Sequence, residues 1–188
     1  IEMSIWTWYD IETDWDYIYL SASIDGGAHW KIITTPSGTD EDALGNSYGW
    51  AYNDVSRKRK WIQENIDLTE FAGEELTLRF DYVTDSAVNG EGMLIDDISI
   101  SAIDYFTDFE DDNGGWDAEG WVRVSNILPQ TFEIAMYNEG TGEVDYLNLN
   151  PDNTLDIPLD IGKNNVVLVV VGTTRFTRQL ANYSVSFK

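Results

Sequence analysis

The sequence predicts an all-β fold, built as a larger β-sandwich followed by a smaller one. Helical periodicity is nearly absent from the 188 residues. The chain instead consists of short runs rich in Val, Ile, Thr and aromatic residues, separated by clusters of Gly, Asn and Asp. Strands at this spacing, joined by turn residues, are typical of antiparallel sandwiches rather than of α/β units.

Twelve strands are predicted. The first six are Ile1–Tyr9, Trp15–Ile24, Trp30–Thr35, Lys60–Ile66, Leu76–Thr84 and Met93–Ser101. The other six are Trp121–Val124, Thr131–Tyr137, Val144–Leu149, Thr154–Leu159, Val166–Gly172 and Tyr183–Phe187. One helical turn is predicted at Asp67–Gly73 (DLTEFAG), because an Asp or Thr cap precedes it and a Gly ends it.

We expect the domain boundary in the segment Asp104–Gly120, DYFTDFEDDNGGWDAEG. Acids and glycines dominate there and no strand alternation survives. We therefore expect a first sandwich over residues 1–125, with this acidic segment near its end, and a small second sandwich over residues 126–188.

Composition excludes several classes of partner. The chain has 34 acidic and 11 basic residues, and its formal net charge of -23 repels nucleic acid and anionic membrane surfaces. Aromatic residues make up 13% of the chain, which favours a folded protein over a disordered acidic one.

The absence of cysteine excludes disulfides and cysteine-zinc sites. No apolar run approaches the ~18 residues of a membrane span, and the start IEMSIWTWYD leads us to expect a processed or excised fragment.

Alternation along two strands separates the core from the opposite face. In the second strand the predicted core row is Asp16, Ile18, Leu20, Ala22 and Ile24, and the opposite row is Trp15, Tyr17, Tyr19, Ser21 and Ser23. In the sixth strand the predicted inward row is Leu94, Asp96, Ile98 and Ile100. Asp16 and Asp96 thus start inward rows, and an inward carboxylate is costly unless something such as a bound cation satisfies it.

These acids form the best candidate metal site. The predicted ligands are Glu12, Asp14, Asp16, Asp96 and Asp97. Calcium takes six to eight oxygen ligands, whereas zinc requires His or Cys, and the chain has one histidine and no cysteine. We expect a structural calcium clip between a loop and a strand; the alternative is that these acids only solvate loop ends.

The aromatic residues allow two interpretations. The candidate ligand-binding residues are Trp6, Trp8, Trp15, Tyr17 and Tyr19. An exposed aromatic patch commonly marks a binding surface, and this one could be a platform for pyranose rings. The favoured interpretation is that this face is covered by the neighbouring domain or by loops that carry Trp50 and Trp61.

One short motif predicts a turn. Ser23–Trp30, SIDGGAHW, fits an Asp-box, whose side chains close a β-hairpin by bonding to the turn backbone.

Other motifs give no support for catalysis. Gly45–Gly49, GNSYG, has nucleophile-elbow spacing but lacks the strand and helix that an elbow needs, and the single histidine, His29, precedes the serine. An HExxH zinc motif is impossible with one histidine. We expect no enzyme activity from this chain.

Four blocks of sequence carry a family resemblance: WYDIETDWDYIYLSASIDGGAHW, IDLTEFAGEELTLRFDYVTDSAVNGEGMLIDDISI, GGWDAEGWVRV and LPQTFEIAMY. Together they resemble the non-catalytic C-terminal region of immune inhibitor A-type secreted bacterial metallopeptidases, over residues 5 to about 137. The order of the DWDY, DGG..W and LIDDI blocks gives this resemblance its specificity.

The resemblance implies a jelly-roll or MAM-like β-sandwich that follows a peptidase domain, and a small trailing β-domain. It also implies structural calcium, matched here by the same five acids. We therefore expect a secreted or cell-surface bacterial accessory region whose partners are the peptidase domain of the same polypeptide and a protein or glycan surface. The alternative is an autonomous carbohydrate-binding module that uses the Trp and Tyr face.

Overall fold

The computed structural model describes residues 1–158, 165–177 and 179–186. The chain forms two compact units, Ile1–Arg123 and Val124–Lys188. All strand pairs of the described residues are antiparallel, and their helical content is confined to short 3₁₀ turns, so the predicted all-β fold is confirmed. The division into domains at residues 125 and 126 stays a prediction.

The first unit contains seven strands and three 3₁₀ turns. The strands are β1 (Glu2–Asp10), β2 (Tyr17–Ser23), β3 (Lys31–Ile32), β4 (Ile62–Asp67), β5 (Thr77–Val83), β6 (Gly92–Ile100) and β7 (Tyr105–Thr107). The turns are Arg57–Arg59, Thr69–Phe71 and Ser101–Ile103. The second of these confirms the helical turn predicted within Asp67–Gly73, where the Thr69 amide donates to Asp67 Oδ1 at 2.8 Å.

The strands form two sheets, with orders β4-β1-β6-β7 and β3-β2-β5. Their inner faces share one apolar core, which is the arrangement of a β-sandwich. The buried members of this core are Met3, Ile5, Leu20, Ala22, Ile33, Ile66, Leu68 and Ile98. β1 and β2 therefore lie in different sheets, and their outward side chains point to opposite sides of the sandwich.

A β-bulge in β6 changes the predicted alternation. Ser4 pairs with Ser99 and Trp6 pairs with Asp96, so β6 uses one residue more than β1 over this stretch. Asp97, at the bulge, has φ 48°. The extra residue reverses which side chains point inward. The predicted inward placement of Leu94 and Asp96 is consequently wrong.

The C-terminal side of β6 keeps the predicted inward row at Ile98, whereas on the N-terminal side Met93 and Ile95 take the core positions. Leu94 is 42% exposed on the outer face of the four-stranded sheet.

β7 lies inside the segment predicted to be a boundary, and it pairs with β6. The Tyr105 hydroxyl donates to the Gly114 carbonyl at 2.7 Å and accepts from Trp116 Nε1 at 2.8 Å. The Trp116 ring lies 5.8 Å from that of Phe80. The acidic segment is therefore packed against the rest of the first unit through at least Trp116. Its turn-rich composition gave no sign of the short strand β7.

The second unit contains β8 (Phe132–Asn138), β9 (Val144–Leu147) and β10 (Val166–Gly172), in the order β10-β8-β9. The strand predicted at Trp121–Val124 is absent. No strand is present at residues 154–158 or 183–186 either; Leu159 and Phe187, which end the two strands predicted there, lie outside the described residues.

Candidate metal site

Three carboxylates meet at one end of the sandwich. One oxygen from each of Glu12, Asp16 and Asp85 lies within 4.8 Å of the others. Glu12 is in the loop between β1 and β2, Asp16 directly precedes β2, and Asp85 follows β5 by two residues. Since Tyr17 pairs with Val83, the β2–β5 ladder brings the last two acids together.

The loop that carries Glu12 is held from both sides. The Ile11 amide donates to the Asp54 carbonyl at 2.8 Å, and Asn53 Nδ2 donates to the Asp16 carbonyl at 2.9 Å. Within the loop, the Asp16 amide donates to the Glu12 carbonyl at 3.1 Å. The first two bonds anchor the loop to residues 53 and 54, and the third closes a turn within it.

The loop between β5 and β6 approaches the end of β1 at Gly90. A Cβ at this position would overlap the Asp10 carbonyl and would lie 2.9 Å from Ile11 Cα. Only glycine fits there, because the obstacle is backbone rather than a movable side chain. This close approach sets the position of the loop that carries Asp85.

Asp16 is the buried member of the site, with no exposed surface. Its Oδ2 accepts from the Tyr82 hydroxyl at 2.9 Å, and its Oδ1 accepts from the Asp85 amide at 3.1 Å. Burial, followed by the hydrogen bond to Asp16 and the surrounding acids, raises the pKa of Tyr82 well above its ordinary range, so this hydroxyl remains a donor.

Glu12 has a carboxylate oxygen that nothing in the described residues satisfies. Its Oε2 atom is buried and has no hydrogen-bond partner among the described residues. Burial, and then repulsion from Asp85 and Asp16, raises the pKa of Glu12 above its ordinary value. A cation among the three carboxylates would provide the missing partner and relieve the repulsion.

The donor set fits calcium. Oxygen ligands at 2.3–2.6 Å from one ion lie at most about 5 Å apart, and the three carboxylates meet this condition. A carboxylate oxygen that accepts one hydrogen bond keeps a lone pair for a metal. Backbone carbonyls and water would complete the six to eight ligands that calcium prefers.

The structure brings together only part of the predicted ligand set. Glu12 and Asp16 are joined by Asp85, which was not predicted. Asp14 shapes the loop through its backbone: it has φ 66°, and its carbonyl accepts from the Tyr17 hydroxyl at 3.1 Å. Asp96 and Asp97 lie in the middle of β6, where the bulge turns Asp96 to the outer face. Asp16 therefore lies beside Asp85 rather than beside Asp96, and metal binding by any of these residues stays a prediction.

The five predicted ligand-binding aromatics do not form one exposed face. Trp6 and Trp8 are on the outer side of the four-stranded sheet, whereas Tyr17 and Tyr19 are on the outer side of the other sheet. Tyr17 and Tyr19 are only 2% and 3% exposed. Trp15 is in the loop before β2 and is exposed.

A loop covers the two tyrosines. The Tyr17 hydroxyl lies 3.2 Å from Asn46 Oδ1, and the Tyr48 amide donates to the Tyr19 hydroxyl at 3.0 Å. The interpretation that loops cover the aromatic row of β2 is therefore correct for these two residues, although the covering residues belong to the segment 46–51 rather than to Trp61.

The side chains of the motifs that could suggest catalysis form hydrogen bonds with the nearby backbone. Ser47 Oγ donates to the Gly49 carbonyl at 2.9 Å, and neither a strand nor a helix flanks it as in a nucleophile elbow. In the Asp-box, Ser23 Oγ accepts from the Gly27 amide at 2.9 Å, and Asp25 Oδ1 accepts from the His29 amide at 2.9 Å. His29 is thus engaged in a turn far along the chain from Ser47.

An antiparallel sandwich with an acidic cluster at one end defines a β-sandwich module. The chain belongs to the family described as "Immune inhibitor A-like, MAM domain", whose sequence profile matches residues 1–126. This confirms the resemblance to the immune inhibitor A group.

Relatives with assigned names agree with this family. The chain is 29% identical over 107 residues to Immune inhibitor A of Bacillus thuringiensis subsp. alesti, covering 57% of this chain and 14% of the relative. It is 25% identical over 95 residues to Bacillopeptidase F of Bacillus subtilis, covering 50% of this chain and 5% of the relative. It is 32% identical over 98 residues to Pre-pro-metalloprotease PrtV of Vibrio cholerae serotype O1, covering 50% of this chain and 9% of the relative.

The matched region is thus a small part of each of these relatives. No solved structure matches the chain significantly. Within the described residues, no helix is long and apolar enough to cross a membrane.

Proposed function

We propose that this chain is a calcium-stabilised, non-catalytic accessory region of a secreted bacterial metallopeptidase of the immune inhibitor A type. The observation that carries the proposal is the family match over residues 1–126. Two of the three relatives named above are an immune inhibitor A and a metalloprotease, and in both the matched region is a minor fraction of the length.

Calcium would act as a clip between two loops. Glu12 and Asp16 belong to the loop before β2, and Asp85 belongs to the loop after β5. An ion held by all three would join these loops across the end of the β2–β5 pair. The unpartnered Glu12 Oε2 supports this role, since a buried carboxylate oxygen without a partner costs stability until a cation binds it.

The acid count fits a site that works outside the cell. Three carboxylates on two loops resemble the weaker extracellular calcium modules, with dissociation constants of about 10⁻⁴–10⁻³ M, more than the tight sites of cytosolic buffers. Such a site fills in calcium-rich surroundings and empties in the cytosol. Secretion of the parent protein would meet this requirement.

A carbohydrate-binding module is the alternative function. It loses two of its five candidate residues, because Tyr17 and Tyr19 are buried beneath the segment 46–51. Its remaining candidates divide between a sheet face, with Trp6 and Trp8, and a loop, with Trp15. The accessory role with calcium is therefore the better-supported proposal.

The accessory role is tested in a full-length peptidase that carries this chain. Asp85→Asn removes one proposed calcium ligand, and Glu75→Gln, which neutralises an exposed acid between the turn Thr69–Phe71 and β5, is the matched control. We expect the initial rate on a protein substrate at 25 °C to stay within about twofold for both variants. The thermal inactivation half-life with calcium should fall about fivefold or more for Asp85→Asn alone.

Two results would contradict the proposal. Loss of the initial rate in Asp85→Asn, with the fold intact, would place this unit in the catalytic machinery. Equal protection of both variants by calcium would exclude the three-carboxylate clip.

A further inference from the structure

The outer face of the four-stranded sheet carries an exposed apolar surface with one carboxylate at its centre. Trp6 pairs with Asp96, Trp8 pairs with Leu94, and Ser99 pairs with Phe106, so the side chains of each pair lie on the same face. Trp6 is 38% exposed, Leu94 is 42% and Phe106 is 60%. Exposed apolar residues that are contiguous on one face mark an interaction surface.

Asp96 is partly buried in this surface and has no cationic partner. None of the ion pairs in the described part of the chain involves it. Its Oδ1 accepts the Asp97 amide at 2.9 Å. Burial raises the pKa of Asp96 above its ordinary value, the Asp97 amide opposes this, and the charges of Asp97 and Asp108 add to the increase. Within the described residues the carboxylate thus has one backbone donor and no ion-pair partner.

Elsewhere in the first unit, one arginine contacts both a tryptophan ring and a carboxylate. The Arg79 guanidinium lies 3.9 Å from the centre of the Trp30 ring, and Arg79 Nε donates to Asp81 Oδ2 at 2.7 Å. An arginine therefore satisfies an indole face and a carboxylate at once in this chain. Trp6 and Asp96 likewise place an indole and a carboxylate on adjacent strands. In the described residues no lysine or arginine forms an ion pair with Asp96.

We propose that the outer face formed by Trp6, Leu94, Asp96 and Phe106 docks a protein segment that presents an arginine between apolar side chains. The guanidinium pairs with the Asp96 carboxylate and lies against the Trp6 ring, and the apolar neighbours cover Leu94 and Phe106. The net charge of -23 favours such a cationic segment over an anionic one.

The other end of the face limits where the cation can bind. The turn Arg57–Arg59 is basic, and the Arg59 carbonyl accepts from Trp8 Nε1 at 3.0 Å. Arg59 itself pairs with Asp10 at 3.3 Å. The Trp8 end is therefore already engaged by a basic turn of this chain, which favours the Trp6 end for a partner's arginine.

The test uses the full 188-residue chain and a synthetic peptide, acetyl-Gly-Leu-Arg-Leu-Gly-amide. Its control replaces arginine by citrulline, which keeps the shape and removes the charge. Chemical shifts of the Trp6 indole N–H are followed by NMR up to about 10 mM peptide, since one ion pair with a cation–π contact gives millimolar affinity at best. We expect a saturable shift with the arginine peptide and at least a fivefold weaker response with citrulline.

The matched variants are Asp96→Asn and Asp97→Asn. Both remove one negative charge, and Asn tolerates the left-handed backbone at position 97. We expect Asp96→Asn to weaken arginine-peptide binding at least fivefold and Asp97→Asn to change it less than twofold. Thermal unfolding of each variant shows whether the fold is retained.

Three outcomes would overturn the proposal: no saturable shift of Trp6, equal shifts with both peptides, or equal weakening by the two variants. A neutral oligosaccharide such as cellohexaose or chitohexaose that shifts Trp6 in both wild type and Asp96→Asn would also overturn it, and would assign the face to carbohydrate. These readouts do not depend on calcium, so they separate this proposal from the accessory function.

Discussion

The Tyr82 hydroxyl donates to Asp16 Oδ2 at 2.9 Å. This bond connects β5 to the residue directly before β2, and it satisfies one oxygen of a carboxylate that has no exposed surface. The two residues therefore connect the core of the sandwich to the proposed calcium site.

Tyr82→Phe is expected to destabilise the chain by about 1–3 kcal/mol when calcium is removed, because Asp16 Oδ2 loses its donor while it stays buried. The loss should be smaller with calcium, since the cation then satisfies the carboxylate. Urea unfolding with EDTA and with calcium measures both values. Tyr48→Phe is the control, because the Tyr48 side chain is 74% exposed; an equal loss in this variant would disprove the role of the Asp16 bond.

Gly90→Ala is expected to weaken calcium binding without removing any proposed ligand. A Cβ at position 90 would collide with the Asp10 carbonyl and Ile11 Cα, so the loop that carries Asp85 must move. Isothermal titration of calcium into the variant checks this. Gly45→Ala is the control: it has open space around its Cβ but φ +75°, so it carries the cost of left-handed backbone alone. Unchanged calcium affinity in Gly90→Ala would show that the loop position is not critical.

Glu64→Gln is expected to cost about 1–3 kcal/mol of unfolding free energy. Glu64 is buried on the inner side of β4, where it accepts from the Ser37 amide at 3.3 Å, from the Ser37 hydroxyl and from the Tyr52 hydroxyl at 3.2 Å. A glutamine offers one oxygen in place of two, so one of these donors loses its partner. Chemical unfolding against Glu75→Gln measures the difference, and equal stabilities would contradict this account of Glu64.

Asp96→Asn is expected to stabilise the isolated chain at neutral pH. The folded-state pKa of Asp96 is raised, so the folded state binds its proton more tightly than the unfolded state does. The wild type therefore loses stability as the pH rises from about 4, the ordinary carboxyl pKa, through the higher folded-state value. The variant does not have this loss of stability, and its Asn oxygen can still accept a hydrogen bond from the Asp97 amide.

Thermal unfolding of wild type and Asp96→Asn between about pH 3 and pH 7 checks this prediction. The advantage of the variant should grow with pH. An advantage that grows toward acid pH would contradict the direction of the Asp96 shift.

Local patterns predicted most of the strands because each strand has its own alternation and turn residues. In the predicted core row, Asp16, Ile18, Leu20 and Ala22 are buried because the period of two holds along β2. Ile24, which lies beyond the end of β2, is 54% exposed, so its predicted core position is wrong. β6 shows why this reasoning has a limit. Its bulge at Asp97 leaves no mark in LIDDISI, and one extra residue moved Asp96 to the opposite face.

The candidate site was predicted in part for a similar reason. Glu12 and Asp16 are close in sequence, and their joint role could be predicted from the acidic loop. Asp85 is 69 positions away from Asp16 and joins it only through the pairing of β2 with β5. A single sequence contains no direct signal for such a non-local pairing.

The melting temperature of the chain as a function of calcium concentration tests the central claim most directly. With a dissociation constant of about 0.1 mM, about 5 mM calcium would add about 2 kcal/mol of stability and raise the melting temperature by roughly 5–10 °C over EDTA. We predict this increase for wild type and for Glu75→Gln, and its loss in Asp85→Asn. A melting temperature that is the same in EDTA and in calcium would contradict the calcium clip.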